Sequence, residues 1–355
     1  MMIKKMFVSQ IVEVLLFCCF VFSFNAEAQE AEPLPCLTNY RIPLNKNGAV
    51  IGKVVFPGQK EDPVVLLKDT AKLFRIDKNG SLRLRQHKQI KADSPVFRYG
   101  ITVGVGEEKA EFELVKNEFI QNGVIAHRGA WEHHPGSQNS LSSLKSAIRI
   151  GCEGSEFDVR LSSDGEVVIS HDASIKGVFM EKSTAEKIQK VPLENGDFVP
   201  TLKQYITECK KQNKTNLVLE IKESDLGMER TIELTDKVVA IVHKMKAQGW
   251  TEYISFSYES LKEIRRLDSS AEIAALSKKP VKQLVSDGMS GIDYSTCCFF
   301  KDKTLIDKAH KAGLSVNVWT ITSPEDIYFF YSQNVDKITT NEPETLICLF
   351  RSKNK

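Results

Sequence analysis

The sequence lacks an excess of either charge. In 355 residues, 48 lysines and arginines stand against 46 aspartates and glutamates, so the net charge is +2. A nucleic-acid-binding surface normally appears as a clear basic excess, and the composition gives no reason to expect a nucleic-acid partner. Hydrophobic residues make up 42% of the chain and charged residues 26%, which is typical of a folded globular protein rather than a disordered one.

Long hydrophobic runs are also scarce. The extended apolar run at residues 14–24 follows two lysines near the N-terminus and precedes the small residues Ala26 and Ala28. This pattern predicts a signal peptide over residues 1–28, cleaved near Ala28. The alternative is a permanent membrane anchor, for which the run is short. The mature chain is therefore expected to be exported, as a periplasmic or secreted protein.

Cysteine is the third scarcity. Two of the eight cysteines lie in the predicted leader, and the other six are scattered without the spacing of a metal site. Their density is far below that of a disulfide-stabilised scaffold. We expect most of them to be buried small hydrophobic side chains.

Residues 30–120 contain short β-rich runs separated by turns, with no helical pattern. "DKNG" at 77–80 is a strong turn between two of the runs. The stretch predicts a small all-β sandwich domain. It resembles a cadherin-like repeat through "FRIDKNGSLRL" and "FRYGITVGV", but no Asp-x-Asn-Asp cluster follows, so calcium bridging is not expected. The predicted strands are residues 49–56, 64–69, 73–77, 81–85, 97–105 and 110–115.

From residue 121 to 355 the pattern changes to strands that alternate with helices. Eight such strands favour a (β/α)₈ TIM barrel in the α/β class. The alternative, an open doubly wound sheet, is weakened because no Gly-x-Gly-x-x-Gly follows the first strand. A hairpin at 165–172 is predicted to pair with the second strand. The eight strands are predicted at 123–127, 155–159, 217–221, 253–257, 272–276, 291–295, 315–320 and 337–340.

Charged side chains collect where the predicted strands end, and in a barrel these ends form one rim. Residues two apart on a strand share a face, so acids spaced in this way face the barrel interior together. Three buried carboxylates would be costly without compensation. A hard divalent cation, Mg²⁺ or Ca²⁺, would supply that compensation. The strand-end residues are His127, Arg128, Glu156, Asp158, His171, Glu220 and Lys222.

The motifs "IAHRG", "SEFDVRLSSDGEVVISHD", "LVLEIK" and "VNVWTI", in this order, resemble the glycerophosphodiester phosphodiesterase family over about residues 123–344. The resemblance implies a TIM barrel, one divalent metal ion and hydrolysis of glycerophosphodiesters to glycerol 3-phosphate and an alcohol. It assigns acid–base catalysis to His127 and His171, metal binding to Glu156, Asp158 and Glu220, phosphate contacts to Arg128 and Lys222, and a place near the glycerol to Trp319.

One position departs from the family pattern. Where the family commonly has Pro-Glu-Asn-Thr, this chain has Ser-Gln-Asn-Ser at 137–140, and the amide of Gln138 carries no charge. Two alternatives stay open. One is a cyclising phospholipase of the sphingomyelinase D or phosphoinositide type, which also pairs two histidines on a barrel; the other is a barrel that binds phosphodiesters without turnover, of which Gln138 would be the first sign. The intact histidines and acids favour an enzyme. We expect His127 to be the general base, with the attacking oxygen coming from water or from a neighbouring hydroxyl of the substrate.

Overall fold

The computed structural model describes residues 31–59 and 62–353, with side chains described as far as residue 349. The predicted signal peptide lies outside these residues. Within them, no helix has both the length and the apolar character needed to cross a membrane. From Glu32 onward the chain forms one compact unit.

The N-terminal region is all-β, as predicted, and consists of two four-stranded sheets. Their orders are β1-β3-β6-β5 and β2-β8-β7-β4, and every neighbouring pair except β2–β8 is antiparallel. The likeness to a cadherin repeat stays a prediction. The strands are β1 (Cys36–Leu37), β2 (Arg41–Ile42), β3 (Val50–Val55), β4 (Val65–Asp69), β5 (Phe74–Ile76), β6 (Ser81–Leu84), β7 (Arg98–Val105) and β8 (Glu108–Lys116).

Alternating apolar residues of the two sheets build the core of this region. Leu82 and Leu84 from one sheet are fully buried together with Val103 and Leu114 from the other. The predicted turn joins β5 to β6: Asp77 Oδ1 accepts hydrogen bonds from the backbone N–H groups of residues 79 and 81, both at 3.0 Å. A side chain that replaces backbone partners in this way fixes the turn and hence the register of the strands.

The second region is a closed barrel of eight parallel strands, which confirms the predicted TIM barrel. The strand order is β9-β10-β14-β15-β16-β17-β18-β19, and β9 pairs with both β10 and β19. The predicted hairpin is present as β11, antiparallel to β10. The barrel strands are β9 (Val124–Ala126), β10 (Gly154–Leu161), β14 (Asn216–Ile221), β15 (Thr251–Ser255), β16 (Glu272–Ala275), β17 (Gly291–Ser295), β18 (Ser315–Ile321) and β19 (Lys337–Thr340).

Helices and short ribbons connect the barrel strands. A separate two-stranded ribbon, β12 (Ser174–Ile175) with β13 (Val178–Phe179), and a 3₁₀ turn (Met180–Lys182) follow β11 (Val167–Ile169). The helices are α1 (Leu141–Ile150), α2 (Ala185–Ile188), α3 (Leu202–Cys209), α4 (Met228–Lys244), α5 (Tyr258–Leu267), α6 (Val281–Ser286), α7 (Thr296–Lys301), α8 (Leu305–Lys311), α9 (Pro324–Ser332) and α10 (Pro343–Lys353).

The N-terminal region packs on the amino-terminal ends of the barrel strands. Arg41 of β2 donates hydrogen bonds to the carbonyl oxygen of Gly249 at 3.0 Å and to Asn216 Oδ1 at 2.9 Å. Its guanidinium also lies 4.1 Å from the ring centre of Phe119. This contact leaves the opposite end of the barrel, where the strands finish, open for a functional site.

Candidate active site

The first strand of the barrel delivers His127 to the open rim. Its backbone N–H donates to the carbonyl of Thr340, and its Nδ1 lies 2.7 Å from Asn341 Oδ1. Because the amide oxygen accepts from Nδ1–H, the other ring nitrogen, Nε2, keeps its lone pair and lies 4.0 Å from Glu156 Oε2. Burial and the adjacent guanidinium of Arg128 lower the pKa of His127 to about 4, so the ring is neutral at physiological pH.

Arg128 and Gly129 form a tight turn directly after this strand. Arg128 has a left-handed φ of 58°, and its backbone N–H donates to Glu156 Oε2 at 2.8 Å. Gly129 has a φ of 80°, and a Cβ atom there would lie 2.4 Å from the hydroxyl oxygen of Ser143. Only glycine fits this turn. The His-Arg-Gly sequence therefore places two functional side chains at the rim and then turns the backbone into the next loop.

The second and third strands supply three acids. Glu156, Asp158 and Glu220 are all buried, and their ligand oxygens lie within 4.8 Å of one another. Phe157, between the first two, points the opposite way and packs on Tyr205, with 4.3 Å between ring centres. The alternation of side chains along the strand thus brings both acids of Glu-x-Asp into the barrel, as predicted.

The three acids influence one another strongly. Burial and the neighbouring carboxylates raise the pKa of Glu156 well above its usual range, and the same two causes raise the pKa of Glu220 to about 8. Burial also opposes the ionisation of Asp158, but Lys222 and His171 outweigh it and hold the pKa of Asp158 low. Like charges brought this close destabilise the ionised state unless a cation lies among them.

Two cations offset part of this negative charge. Lys222 Nζ lies 2.7 Å from Glu220 Oε1 and 3.3 Å from Asp158 Oδ1, and Arg128 Nε lies 3.8 Å from Asp158 Oδ2. Asp158 Oδ1 accepts no hydrogen bond from the described residues. If all three carboxylates ionise, the two cations leave a net negative charge, and an all-oxygen donor set suits a hard divalent ion. The residues present therefore fit the metal that the family resemblance implies.

The second histidine approaches from the hairpin that extends β10. Arg160 donates two hydrogen bonds to the backbone oxygen of His171, both at 3.0 Å, and so fixes this loop. The ring Nδ1 of His171 lies 2.8 Å from Asp172 Oδ1. The Nδ1 partner of His171 is thus a carboxylate, whereas the Nδ1 partner of His127 is a neutral amide. The two histidines thus differ in their partners and in their burial.

An apolar wall faces these charged groups. Trp319 packs edge-on against Phe256, with 5.6 Å between ring centres, and its Nε1 donates to the carbonyl of Asp293 at 2.7 Å. The charged groups and this wall enclose a cavity of about 180 Å³. Asp158 is buried and does not line this cavity, whereas the other seven of the eight predicted site residues do: His127, Arg128, Glu156, His171, Glu220, Lys222 and Trp319.

Sequence reasoning missed several residues that position the site. Asn139 donates to Asp158 Oδ2 at 2.9 Å and accepts from the Asp158 N–H at 3.2 Å, and Asn341 binds His127. Gln138, where the family pattern has an acid, accepts from Arg128 at 2.6 Å and holds that side chain without neutralising it. Asparagines in loops carry no periodic pattern, and only the family motif around residue 139 could have pointed to one of them.

Comparison with known proteins identifies the family. A sequence model described as the glycerophosphoryl diester phosphodiesterase family matches residues 127–345. The chain belongs to the glycerophosphoryl diester phosphodiesterase family. This confirms the resemblance seen in the sequence and the class of enzyme that it implied.

Individual members of the family agree with this assignment. A glycerophosphodiester phosphodiesterase of Caldanaerobacter subterraneus is 27% identical over 64% of this chain and 97% of its own length. A crystal structure of a glycerophosphodiester phosphodiesterase from Parabacteroides distasonis is 34% identical, with a TM-score of 0.64 over 66% of this chain and 98% of the other. A phosphodiesterase of Oleispira antarctica, solved with the product sn-glycerol-3-phosphate, shares the fold at 24% identity and a TM-score of 0.55, over 63% of this chain and 95% of its own. These matches each cover about two thirds of the chain.

Proposed function

We propose that this glycerophosphoryl diester phosphodiesterase hydrolyses glycerophosphodiesters to glycerol 3-phosphate and an alcohol, with a divalent metal and two histidines. The observation that carries the proposal is the convergence of three buried acids, two cations and two histidines on one cavity at the barrel rim. Glu156, Asp158 and Glu220 would hold the metal. When bound, the metal would offset the negative charge that grows on the phosphate oxygens.

The basic side chains orient the phosphate. Arg128 is held by the neutral Gln138, and its charge remains available to an anionic substrate even though Asp158 is near. Lys222 lies on the other side of the acids and contributes a second positive charge. Fixed cations directed at the position of a developing anion stabilise the transition state without reorganisation. A phosphodiester is thereby bound with its non-bridging oxygens against the charged wall.

The histidines divide the proton transfers. His127 is neutral with a free Nε2 lone pair, so it accepts the proton of the attacking oxygen as that oxygen forms its bond to phosphorus. His171, which Asp172 holds through Nδ1, donates a proton to the alcohol oxygen as the second phosphorus–oxygen bond breaks. After one turnover His127 carries one proton more and His171 one fewer, and exchange with water restores both.

The test is a product analysis of the purified chain. sn-Glycero-3-phosphocholine is incubated with Mg²⁺, Ca²⁺ or Mn²⁺, and phosphorus NMR follows the products. The proposal predicts glycerol 3-phosphate, formed only with metal present. A cyclic phosphate that accumulates as the final product would assign the chain to the cyclising alternative, and binding without turnover in every metal would favour the inactive barrel.

We also propose that the enzyme acts outside the cytoplasm, as a periplasmic or secreted protein. The support is the leader-like pattern of residues 1–28, and this proposal is independent of the chemistry. N-terminal sequencing of the protein recovered from a host with an export pathway should give a mature chain that begins near Gln29. Recovery of the uncleaved chain in the cytoplasm would contradict it.

A further inference from the structure

A carboxyl group that the proposed chemistry does not use lies in the wall of the same cavity. Asp293 is in the middle of β17, is 2% exposed and lines the cavity beside Trp319 and Thr339. Strand β17 is separated from β14, which carries Glu220, by two other strands. Asp293 is therefore on a different part of the wall from the three acids and is not part of their cluster.

The carboxyl group of Asp293 lacks the partner that burial normally requires. Its Oδ1 has no hydrogen-bond partner among the residues that the structure describes. Its register neighbour on β18, Asn317, also has a side-chain oxygen with no partner among the described residues, while the Asn317 amide nitrogen donates to Thr339 Oγ1 at 2.8 Å. A buried polar atom without a partner costs free energy. This part of the wall thus has acceptor oxygens in excess of donors.

The residues around Asp293 indicate which kind of ligand group could donate a hydrogen bond to these oxygens. Burial raises the pKa of Asp293 to about 7, against the opposing effects of Asn317 and Lys337. In either protonation state the group can accept a hydrogen bond from a hydroxyl. The faces of Trp319 and Phe256 next to it suit a carbon skeleton. A small polyol, which presents O–H donors on carbon and carries no charge, matches both features.

We propose that Asp293 is a specificity-determining residue that accepts a hydrogen bond from a hydroxyl of the substrate's glycerol group. The proposal rests on the proposed function: Arg128 and Lys222 bind the phosphate, and the glycerol attached to the phosphate then lies against the opposite wall, which contains Asp293 and Trp319. In this arrangement the glycerol phosphate part would lie in the cavity of about 180 Å³ and the alcohol at its open side. Asp293 would then act on recognition of the glycerol part and not of the alcohol.

A binding measurement tests this without requiring turnover. Calorimetry in the presence of Mg²⁺ compares glycerol 3-phosphate with propyl phosphate, which lacks both hydroxyls. We expect the unmodified chain to prefer glycerol 3-phosphate by roughly 10- to 100-fold, the usual effect of leaving a buried acceptor unpaired. Asp293→Leu should reduce this preference to within about threefold and bind propyl phosphate almost as before. Asp293→Asn, which keeps an acceptor oxygen, should retain part of the preference.

Leu276→Ala is the matched control, because Leu276 lines the same cavity with an apolar side chain. It should change the affinity for both ligands by a similar factor. The same variants are then assayed with sn-glycero-3-phosphocholine and sn-glycero-3-phosphoethanolamine. The two diesters should respond equally to Asp293→Leu, because the alcohol lies outside the cavity.

Three results would overturn the proposal. In the first, Asp293→Leu weakens both phosphate monoesters equally; in the second, its effect depends on the choline or ethanolamine group. In the third, Asp293→Leu lowers thermal stability but keeps the preference for glycerol 3-phosphate over propyl phosphate. That result would mean that the amide of Asn317 already provides the hydrogen bond that Asp293 needs. If Asp293→Leu does not fold, Asp293→Asn is tested instead, and an undiminished preference for glycerol 3-phosphate over propyl phosphate together with lower thermal stability would contradict the proposal. Failure of the proposed function shows separately, as an unmodified chain that binds the monoesters but cleaves no glycerophosphodiester.

Discussion

The two ends of the barrel both contain buried charged groups, yet they are organised differently. At the end closed by the N-terminal region, Lys337 Nζ lies 2.5 Å from Glu252 Oε2, and Arg41 donates to two fixed oxygen acceptors. Lys337 and Glu252 are thus paired with each other, and the hydrogen bonds of Arg41 are made to fixed oxygens of the barrel. At the open rim, three acids share two cations, and one oxygen of Asp158 accepts no hydrogen bond from the part of the chain that the structure describes.

This difference distinguishes a structural use of charge from a functional one. A paired charge contributes to folding or merely offsets its own desolvation, and it has no remaining capacity for a ligand. A surplus of like charge destabilises the folded chain unless something binds, and the free energy released on binding is then available for recognition. Burial alone does not identify the site, since both ends are buried. The imbalance of donors, acceptors and charges identifies it.

Removal of metal should have the largest effect, because it leaves the negative charge of the three acids at the open rim without compensation. We expect excess chelator to abolish turnover and Glu220→Gln to lower it by at least about 10²–10³-fold, with much weaker metal binding by calorimetry. Glu252→Gln, a change of a half-buried, paired glutamate at the other end, is the control and should leave metal affinity unchanged. Full turnover in excess chelator would contradict the metal assignment.

Loss of either histidine should come next in size. His127→Ala and His171→Ala should each reduce kcat by roughly 10²–10⁴-fold without unfolding the chain. The double variant should be little worse than either single one, because an acid and a base act in one cycle. A substrate with a good leaving group should rescue His171→Ala and not His127→Ala.

The control for the histidines is His133→Ala. His133 lies in the exposed loop after the first strand and pairs with Glu342 at 2.8 Å instead of lining the cavity. Its loss should leave turnover within about twofold. Equal rescue of the two catalytic variants by the good leaving group would reject the assignment of acid and base.

The pH dependence of stability should also separate the two ends. Because burial and like charges raise the pKa of Glu220 from its ordinary 4.5 to about 8, its contribution is greatest below pH 4.5 and is lost as the pH rises towards 8. At the other end, burial opposes ionisation of Glu252, but Lys337 outweighs it and lowers the pKa. That pair remains ionised over the same range and contributes no slope.

Thermal melts of the metal-free chain between about pH 5 and pH 8.5 measure this. The midpoint should fall as the pH rises, and Glu220→Gln should flatten the curve because the amide cannot ionise. Added Mg²⁺ or Ca²⁺ should restore the midpoint at the alkaline end. A midpoint that rises with pH in the metal-free chain, or an unchanged slope in Glu220→Gln, would show that the acids are stabilised by some other means.

The fold and the main site residues could be predicted because both follow from repeated patterns. Fully buried apolar runs mark the barrel strands, and topology forces their carboxyl ends to one rim, so His127 and Glu220 could be placed together although they are far apart in sequence. Asn341 could not be found in this way. Its contact with His127 spans 214 positions and depends on loop conformation.

Asp293 illustrates the same limit from inside a strand. It lies within "GIDYS", which the pattern correctly predicts as a strand, and one acid in such a run gives no indication of its partners. Only the neighbouring strands show that its oxygen is unpaired. The alternation of side chains along a strand predicts which face of the sheet a residue occupies. It does not predict whether a neighbouring residue on that face supplies a hydrogen-bond donor.

The smallest expected effect concerns the closed end and tests whether it is purely structural. Arg41→Met keeps the apolar stem but removes two hydrogen bonds that join β2 to the barrel. We expect the free energy of unfolding to fall by about 1–3 kcal/mol, because the oxygens of Asn216 and Gly249 lose a charged donor. Since every residue assigned to the site lies at the other end, kcat and KM should not change.

Lys190→Met is the surface control for this variant. Its partner Glu186 lies four residues earlier, and both side chains are exposed, so the loss of stability should be much smaller than for Arg41→Met. Urea unfolding and steady-state kinetics on the same preparations separate stability from activity. If Arg41→Met lowered kcat while the chain stayed folded, the two ends would be coupled, and the N-terminal region would have a part in turnover beyond closing the barrel.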